Sequence, residues 1–255
     1  MTAACKIVIP ARYGSSRLPG KPLLPIGGRP MIVHVCERAL EADCGQVVVA
    51  TDDRRIVDAV AGLGVTALMT REDHNSGSER IAEVAELLGW ADEEVVINLQ
   101  GDEPAMVPAF IRQLAEALIE EQTAKVATLA TPVTDIKEVF NPNNVKVVLD
   151  AQDYSLYFSR APIPYFRNGF SGVEPVLSES GGWLRHIGIY GYFVGFIRRY
   201  VTAPPCELER LESLEQLRIL SMGEKIRVIV VAQAPEAGVD TAEDLARVRA
   251  GFGGA

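Results

Sequence analysis

The sequence predicts an α/β fold with a mainly parallel sheet covered by helices on both faces. Strand-like and helix-like segments alternate from residue 5 to about residue 130, and the strand segments are continuously apolar. A continuously apolar strand is buried on both faces, as parallel sheets require. Past about residue 150 the strand-like segments turn aromatic and lose their long helical spacers. Residues of about 132–206 therefore read as an inserted, partly antiparallel subregion of one domain spanning 1–255.

The elements follow in order. Residues 5–9 are a short buried strand, and Met31, Ile32, Val35, Cys36 and Ala39 recur at helical spacing. Residues 46–50 are a strand, followed by a helix marked by Ile56, Val57, Val60 and Ala61. Residues 65–69 are a strand, and Ile81, Val84, Ala85 and Leu88 mark the next helix. Strand 95–99 precedes the clearest amphipathic helix, built on Phe110, Ile111, Leu114, Leu118 and Ile119, and strand 126–130 follows.

Beyond these, 145–149, 154–164 and 183–194 read as strands, the last two separated by a Gly- and Ser-rich run expected to form a mobile surface loop. One long helix is expected over 208–220, with leucines 208, 211, 214, 217 and 220 in the core. Glu212 and Gln216 would share a face of it. Strand 226–232 and a helix over 242–249 complete the chain, and the tail 251–255 is expected to be disordered.

A net charge of −9 argues against a nucleic-acid or anionic-membrane partner, which would select a basic face. Cys5, Cys36, Cys44 and Cys206 have neither metal nor redox spacing, which favours a reducing compartment. No signal-like segment opens the chain and no run reaches membrane-spanning length, so a cytoplasmic location is expected.

Against that acidic background, the loop after the first strand stands out. Pro10 to Pro22 places Arg12, Arg17 and Lys21 within ten residues, on a backbone opened by Gly14 and Gly20. Exposed backbone N–H groups and fixed cations together cradle phosphates. A P-loop does not fit, because five residues separate the glycines and Pro22 replaces the magnesium-binding hydroxyl. Pro22 is also expected to keep Lys21 extended, with no helix starting there. The bland alternative is a solvated turn with three surface charges.

Carboxylates supply the second theme. Asp102 follows strand 95–99 in Gln100-Gly101-Asp102-Glu103-Pro104. Open α/β sheets bind ligands at strand carboxyl ends, and magnesium takes carboxylate and phosphate oxygens. Asp102 is therefore a candidate magnesium ligand, its alternative being a helix-capping acid. Asp240 is balanced between the same role and charge at a helix start, because Thr241 and Asp244 form a capping box. Thr51-Asp52-Asp53 could touch the nucleotide or start a helix. The donors of 74–80 suit a nucleobase edge, though Ser78 could be a plain N-cap. His186, flanked by Arg185 and Tyr190, is either a buried structural histidine or part of a polar sugar pocket.

Three stretches together, 10–21, 100–104 and Gly238-Val239-Asp240-Thr241, carry a family resemblance. With Ile32-Val33-His34-Val35, Ala50-Thr51-Asp52, Phe140-Asn141-Pro142-Asn143, Tyr157-Phe158-Ser159-Arg160 and 185–192, the chain resembles the 3-deoxy-manno-octulosonate cytidylyltransferases from about residue 5 to 249. The resemblance implies a three-layer Rossmann-like nucleotidyltransferase fold whose inserted region dimerises and binds sugar. It implies transfer of the cytidylyl group of CTP to 3-deoxy-D-manno-octulosonate (KDO), with Mg2+ as cofactor, in a homodimer serving lipopolysaccharide assembly.

On the same resemblance, Arg12, Lys21, Asp102 and Asp240 are catalytic, with Asp102 and Asp240 holding the metal. Ala11, Arg12, Ser16, Arg17, Lys21, Thr51, Asp52, Asn75, Ser78 and Gln100 would bind nucleotide. Arg80, Gln100, Arg160, His186, Tyr190, Glu215 and Gln216 would bind the sugar acid. Ser78 stands where similar proteins often carry Thr and keeps the hydroxyl. Competing readings are a cytidylyltransferase for 8-amino-KDO or another sialic-acid-like sugar, and a non-catalytic nucleotide-binding regulator. A dinucleotide dehydrogenase is disfavoured by the missing Gly-x-Gly-x-x-Gly turn.

Overall fold

Valine and isoleucine runs build the sheet of the computed structural model, which describes residues 5–14, 18–172, 174–179 and 181–252. The chain divides into two units. The first comprises 1–119, 189–201 and 235–255, and the second 120–188 and 202–234.

In the first unit, β1 (Cys5–Ala11) pairs in parallel with β4 (Gly45–Thr51), from Cys5 opposite Gly45 to Ala11 opposite Thr51. A short ribbon of β2 (Pro25–Ile26) and β3 (Arg29–Pro30) lies between them in sequence, followed by α1 (Met31–Glu41). After α2 (Arg54–Ala59), β5 (Thr66–Met69) adds in parallel outside β4. On the other side of β1 lies β6 (Val95–Asn98), which follows α3 (Gly77–Leu87) and precedes α4 (Pro108–Glu120). The central strands β1, β4 and β6 are mostly apolar and buried because α1, α3 and α4 turn Ile32, Val35, Ile81, Val84, Ile111 and Leu114 inward, while β5 at the edge is only half-buried.

The second unit begins with β7 (Val126–Pro132), α5 (Ile136–Phe140), β8 (Lys146–Leu149) and β9 (Ser155–Ser159). The ten-residue β10 (Leu184–Phe193) serves both units. Leu184 and Arg185 pair antiparallel with β8, and Tyr190 to Phe193 pair antiparallel with β6. Then come α6 (Val194–Thr202) in the first unit, and α7 (Glu207–Glu212), α8 (Gln216–Ser221) and β11 (Ile226–Val230) in the second. β11 pairs in parallel with β7. The final α9 (Ala242–Phe252) returns to the first unit.

Four expectations need correction. The single helix over 208–220 is two helices, because Ser213 adopts a left-handed conformation with φ 52°. Leu208 and Leu211 are consequently exposed while Leu214 and Leu217 are buried. Glu212 and Gln216 therefore do not share a helix face. The start of the tail is ordered: Gly251 and Phe252 belong to α9, and the Phe252 ring meets His34 edge-on at 4.8 Å. Residues 253–255 lie outside the described residues. A one-turn 3-10 helix does begin at Lys21, because proline is tolerated in a first turn. The Gly- and Ser-rich run carries its own core, with Phe166 and Phe170 packed on buried Trp183.

Candidate active site

An apolar cluster brings the basic loop and the final helix together. Ile26, Met31, Val239, Leu245 and Val248 are buried, with Leu18, Leu24 and Phe252 packed against them. Leu18 and Leu24 flank Lys21, and Val239 precedes Asp240, so burying this cluster sets the two polar residues side by side. Each large aliphatic side chain removed from water contributes roughly 1.5–3 kcal/mol to that convergence.

The loop's shape is fixed by Gly20, which adopts φ 69°. Its N–H donates to the Tyr13 carbonyl at 3.1 Å, and a Cβ there would sit 3.1 Å from the Tyr13 ring. At the end of β6, a Cβ on Gly101 would lie 2.7 Å from the Pro10 carbonyl oxygen. Only glycine lets the loop after β6 approach the end of β1 so closely.

The result is a cleft of about 270 Å³ at the carboxyl ends of the parallel strands. Its walls include Pro10, Ala11, Arg12 and Lys21 from the first loop, and His74 to Gly77 with Arg80 from the start of α3. Gln100, Gly101, Asp102 and Asp240 complete them. Lys21 is the electrostatic hub. Its Nζ donates to Asp102 Oδ2 at 2.5 Å, to the Val239 carbonyl at 2.9 Å and to Asp240 Oδ1 at 3.3 Å. The N–H of Val239 donates to the Asp102 carbonyl at 2.9 Å, locking the two acidic segments together.

Asp240 proves to precede the helix cap. Thr241 Oγ1 accepts from the Asp244 N–H at 3.2 Å, and Asp244 Oδ2 accepts from the Thr241 N–H at 3.0 Å and the Asp240 N–H at 3.2 Å. The capping box is therefore real, and it aims Asp240 at Lys21. Partial burial would raise the Asp244 carboxyl, but Arg247, Thr241 and the two backbone N–H groups outweigh it and hold it down to about 2. A carboxyl depressed in the folded state stabilises above its unfolded value near 3.9 and loses that effect as pH falls toward 2. Asp244→Ala is expected to cost about 1 kcal/mol at pH 7, a typical cap loss. In urea melts, the gap from wild type should close between roughly pH 4 and 2; a gap unchanged across that window would refute the assignment.

Other expected residues take varied places. Ser16 and Arg17 lie outside the described residues. Thr51 is buried, and its Oγ1 accepts from the Asp53 N–H. Asp52 accepts from the Tyr13 N–H at 3.1 Å and from Arg80 at 3.1 Å. Arg80 also donates to Thr70 Oγ1 and, at 3.2 Å, to the Arg71 carbonyl, so much of its guanidinium braces the loop. Asn75 lines the cleft, whereas Ser78 is fully buried behind it. The N-cap of α3 is Ser76 rather than Ser78: its Oγ accepts from Glu79 N–H at 3.2 Å. Tyr190 is buried in β10, stacked on Tyr192.

The second unit holds the remainder. Arg160 gives Nε to the Glu212 carbonyl at 2.7 Å and Nη1 to the Pro142 carbonyl at 2.9 Å. Its N–H donates to Glu212 Oε2 at 2.9 Å. His186 Nε2 lies 2.9 Å from Thr128 Oγ1, and burial pushes the imidazole down to about 3, so it is neutral at pH 7. Gln216 is buried, and Glu215 precedes it at the α8 N-terminus.

Two residues were not singled out from sequence. Burial, then the charges of Asp102 and Asp240, push the Glu103 carboxyl up to about 8. A Cβ on Gly238 would lie 2.8 Å from Glu103 Oε1, so that glycine admits the acid. Asn98 ends β6 fully buried, and neither polar atom of its carboxamide has a partner among the described residues. The Asp102-Glu103 pair was the available signal for the first; a lone Asn in an apolar strand was the signal for the second.

A basic loop, paired carboxylates and a donor-rich helix start at the strand ends of an α/β sheet are the features a nucleotidyltransferase site calls for. Residues 6–226 match the cytidylyltransferase family. The chain is 56% identical over 249 residues to the 3-deoxy-manno-octulosonate cytidylyltransferase of Methylococcus capsulatus, covering 98% of this chain and 97% of that one. It is 56% identical over 242 residues to that of Serratia proteamaculans, covering 95% and 96%. Among solved structures, a CMP:2-keto-3-deoxy-manno-octonic acid synthetase complexed with CTP superposes with TM-score 0.89 at 45% identity, covering 98% of both chains. A putative glucose-1-phosphate thymidylyltransferase from Bacillus anthracis, 18% identical with TM-score 0.67 over 99% of this chain and 96% of that one, shares the fold. The chain belongs to the 3-deoxy-manno-octulosonate cytidylyltransferase family of cytidylyltransferases.

Proposed function

We propose that this protein joins CTP to KDO, giving CMP-KDO and pyrophosphate for lipopolysaccharide assembly. The observation that carries the reading is the cleft in which Lys21 is bracketed by Asp102 and Asp240. The anomeric hydroxyl of the sugar acid attacks the α-phosphorus of CTP as the bond to pyrophosphate breaks, and its proton is lost to solvent or a base. No nucleophilic side chain is needed. Arg12 and Lys21, with Arg17 and Ser16, take the phosphate charge. Ala11 and Asn75, with Ser78 and Thr51-Asp52 behind them, set the cytidine end, and Arg80 braces Asp52.

Two carboxylates fit magnesium, which takes few protein oxygens and fills its shell from phosphate and water. Asp102 and Asp240 would hold it, and once bound it screens phosphate charge and acidifies the attacking hydroxyl. On the family resemblance, Arg80, Gln100, Arg160, His186, Tyr190, Glu215 and Gln216 take the sugar acid. A cytoplasmic homodimer completes the proposal. The described residues contain no helix long and apolar enough to cross a membrane.

The test is magnesium-dependent pyrophosphate release from CTP with KDO, 8-amino-KDO and sialic acid side by side. Release favouring KDO supports the reading, and preference for the amino sugar keeps the chemistry but changes the substrate. Folded protein that binds CTP yet releases nothing with any sugar would instead be a nucleotide-binding regulator.

A further inference from the structure

The carboxylates proposed to hold the metal already share their oxygens with a cation of the chain. Lys21 Nζ lies 2.5 Å from Asp102 Oδ2 and 3.3 Å from Asp240 Oδ1. Magnesium binds carboxylate oxygen at about 2.0–2.1 Å. An ammonium and a divalent ion on the same oxygen would therefore stand within a few ångströms of one another. Two such charges near a protein surface repel strongly even at an effective dielectric of about 20. Lys21 in this position therefore weakens the hold of Asp102 and Asp240 on a metal.

The ammonium has freedom to leave while its backbone does not. Gly20, the 3-10 turn at Lys21 and the packing of Leu18 and Leu24 fix the main chain. The four-carbon stem beyond it keeps its rotamers. Its third acceptor, the Val239 carbonyl, is a neutral group. The cleft that Lys21 lines also takes the phosphates in the proposed reading, so a triphosphate offers it a stronger anion nearby.

We propose that Lys21 gates the metal pair: phosphates draw its ammonium off Asp102 and Asp240, so a divalent cation binds well only together with nucleotide. This rests on the reading of Asp102 and Asp240 as metal ligands. Linkage makes the effect reciprocal, the metal tightening nucleotide by the same factor. A divalent cation alone meets two carboxylates already half-neutralised by the ammonium, so metal without nucleotide binds weakly.

The experiment measures Mn2+ binding to nucleotide-free protein, from the paramagnetic resonance of free Mn2+, alongside thermal midpoints. Lys21→Met is expected to bind Mn2+ roughly tenfold or more tightly than wild type. Its midpoint should rise with Mn2+ while that of wild type stays put. Lys21→Arg, which keeps the charge, should stay weak, and adding Asp240→Asn to Lys21→Met should remove the gain. Equal Mn2+ affinity in wild type and Lys21→Met, with binding weakened by Asp102→Asn, overturns the gate and leaves the ligand assignment standing. No binding by any variant, with the magnesium dependence of pyrophosphate release unaltered by Asp102→Asn, overturns both.

Discussion

Asp102→Asn is expected to lower pyrophosphate release from CTP and KDO by about 10²–10³-fold, equivalent to roughly 3–4 kcal/mol of transition-state stabilisation. The amide preserves the size of the side chain and removes its charge. Lys21 then loses the charge of its closest anion, while Asp240 at 3.3 Å and the Val239 carbonyl at 2.9 Å remain. The proposed magnesium ligand pair is reduced to one carboxylate. The fold should survive, because the bond that ties the two acidic segments together uses the Asp102 carbonyl, not its side chain. With the side chain 28% exposed, the lost ion pair should shift stability by less than about 1 kcal/mol. Turnover near wild type in a variant with an unchanged thermal midpoint would remove Asp102 from the chemistry. Lys21→Ala should fall in the same range, through loss of the charge facing the leaving group.

Much of this site was legible because its parts obey separate local rules. Runs such as 47–50 and 95–97 are apolar on both faces, so their strand ends were legible and their loops were natural places for ligands. The density of cation after β1 was visible against a net charge of −9. What local sequence could not settle was Asp240, because a capping box and a metal ligand want the same acid in the same place. The structure removes the conflict by giving the cap to Thr241 and Asp244. The residues that force the convergence, Val239 and Leu245 against Leu18 and Leu24, are apolar groups over two hundred positions apart in sequence. No periodicity links them.

The second unit was less legible, for a different reason. Leucines at every third position read as one helix, but a single left-handed residue at Ser213 reverses which of them face inward. That break gives the last turn of α7 a use that a continuous helix would not have. The Glu212 carboxylate accepts from Ser159 Oγ at 2.5 Å and the Arg160 N–H at 2.9 Å, while its carbonyl takes Arg160 Nε. Arg160 is thus held by α7, and its own carbonyl is held by a buried lysine.

That lysine carries the largest expected effect on stability. Lys146 is fully buried on β8, opposite Ser159 of β9 and Arg185 of β10. Its Nζ donates to the Asn144 carbonyl at 2.5 Å, the Arg160 carbonyl at 2.8 Å and the Asn141 carbonyl at 3.0 Å. All three ammonium donors are satisfied, each by backbone. Burial lowers its pKa, and the nearby Glu212 charge opposes that shift. Lys146→Met keeps the length and apolar stem but removes the ammonium from three part-buried carbonyls, of which that of Asn141 keeps the Asn144 N–H at 3.1 Å, at about 1–3 kcal/mol for each one left unpaired. It also strips the cation near Glu212, so a loss of about 3–5 kcal/mol in unfolding free energy is expected. Hydrogen exchange should show the change concentrated in 141–160, because local openings report local contacts. If Arg160 serves the sugar acid, KM for KDO should rise while KM for CTP holds. A loss under about 1 kcal/mol would mean water replaces the ammonium, and the cage would then be packing rather than support.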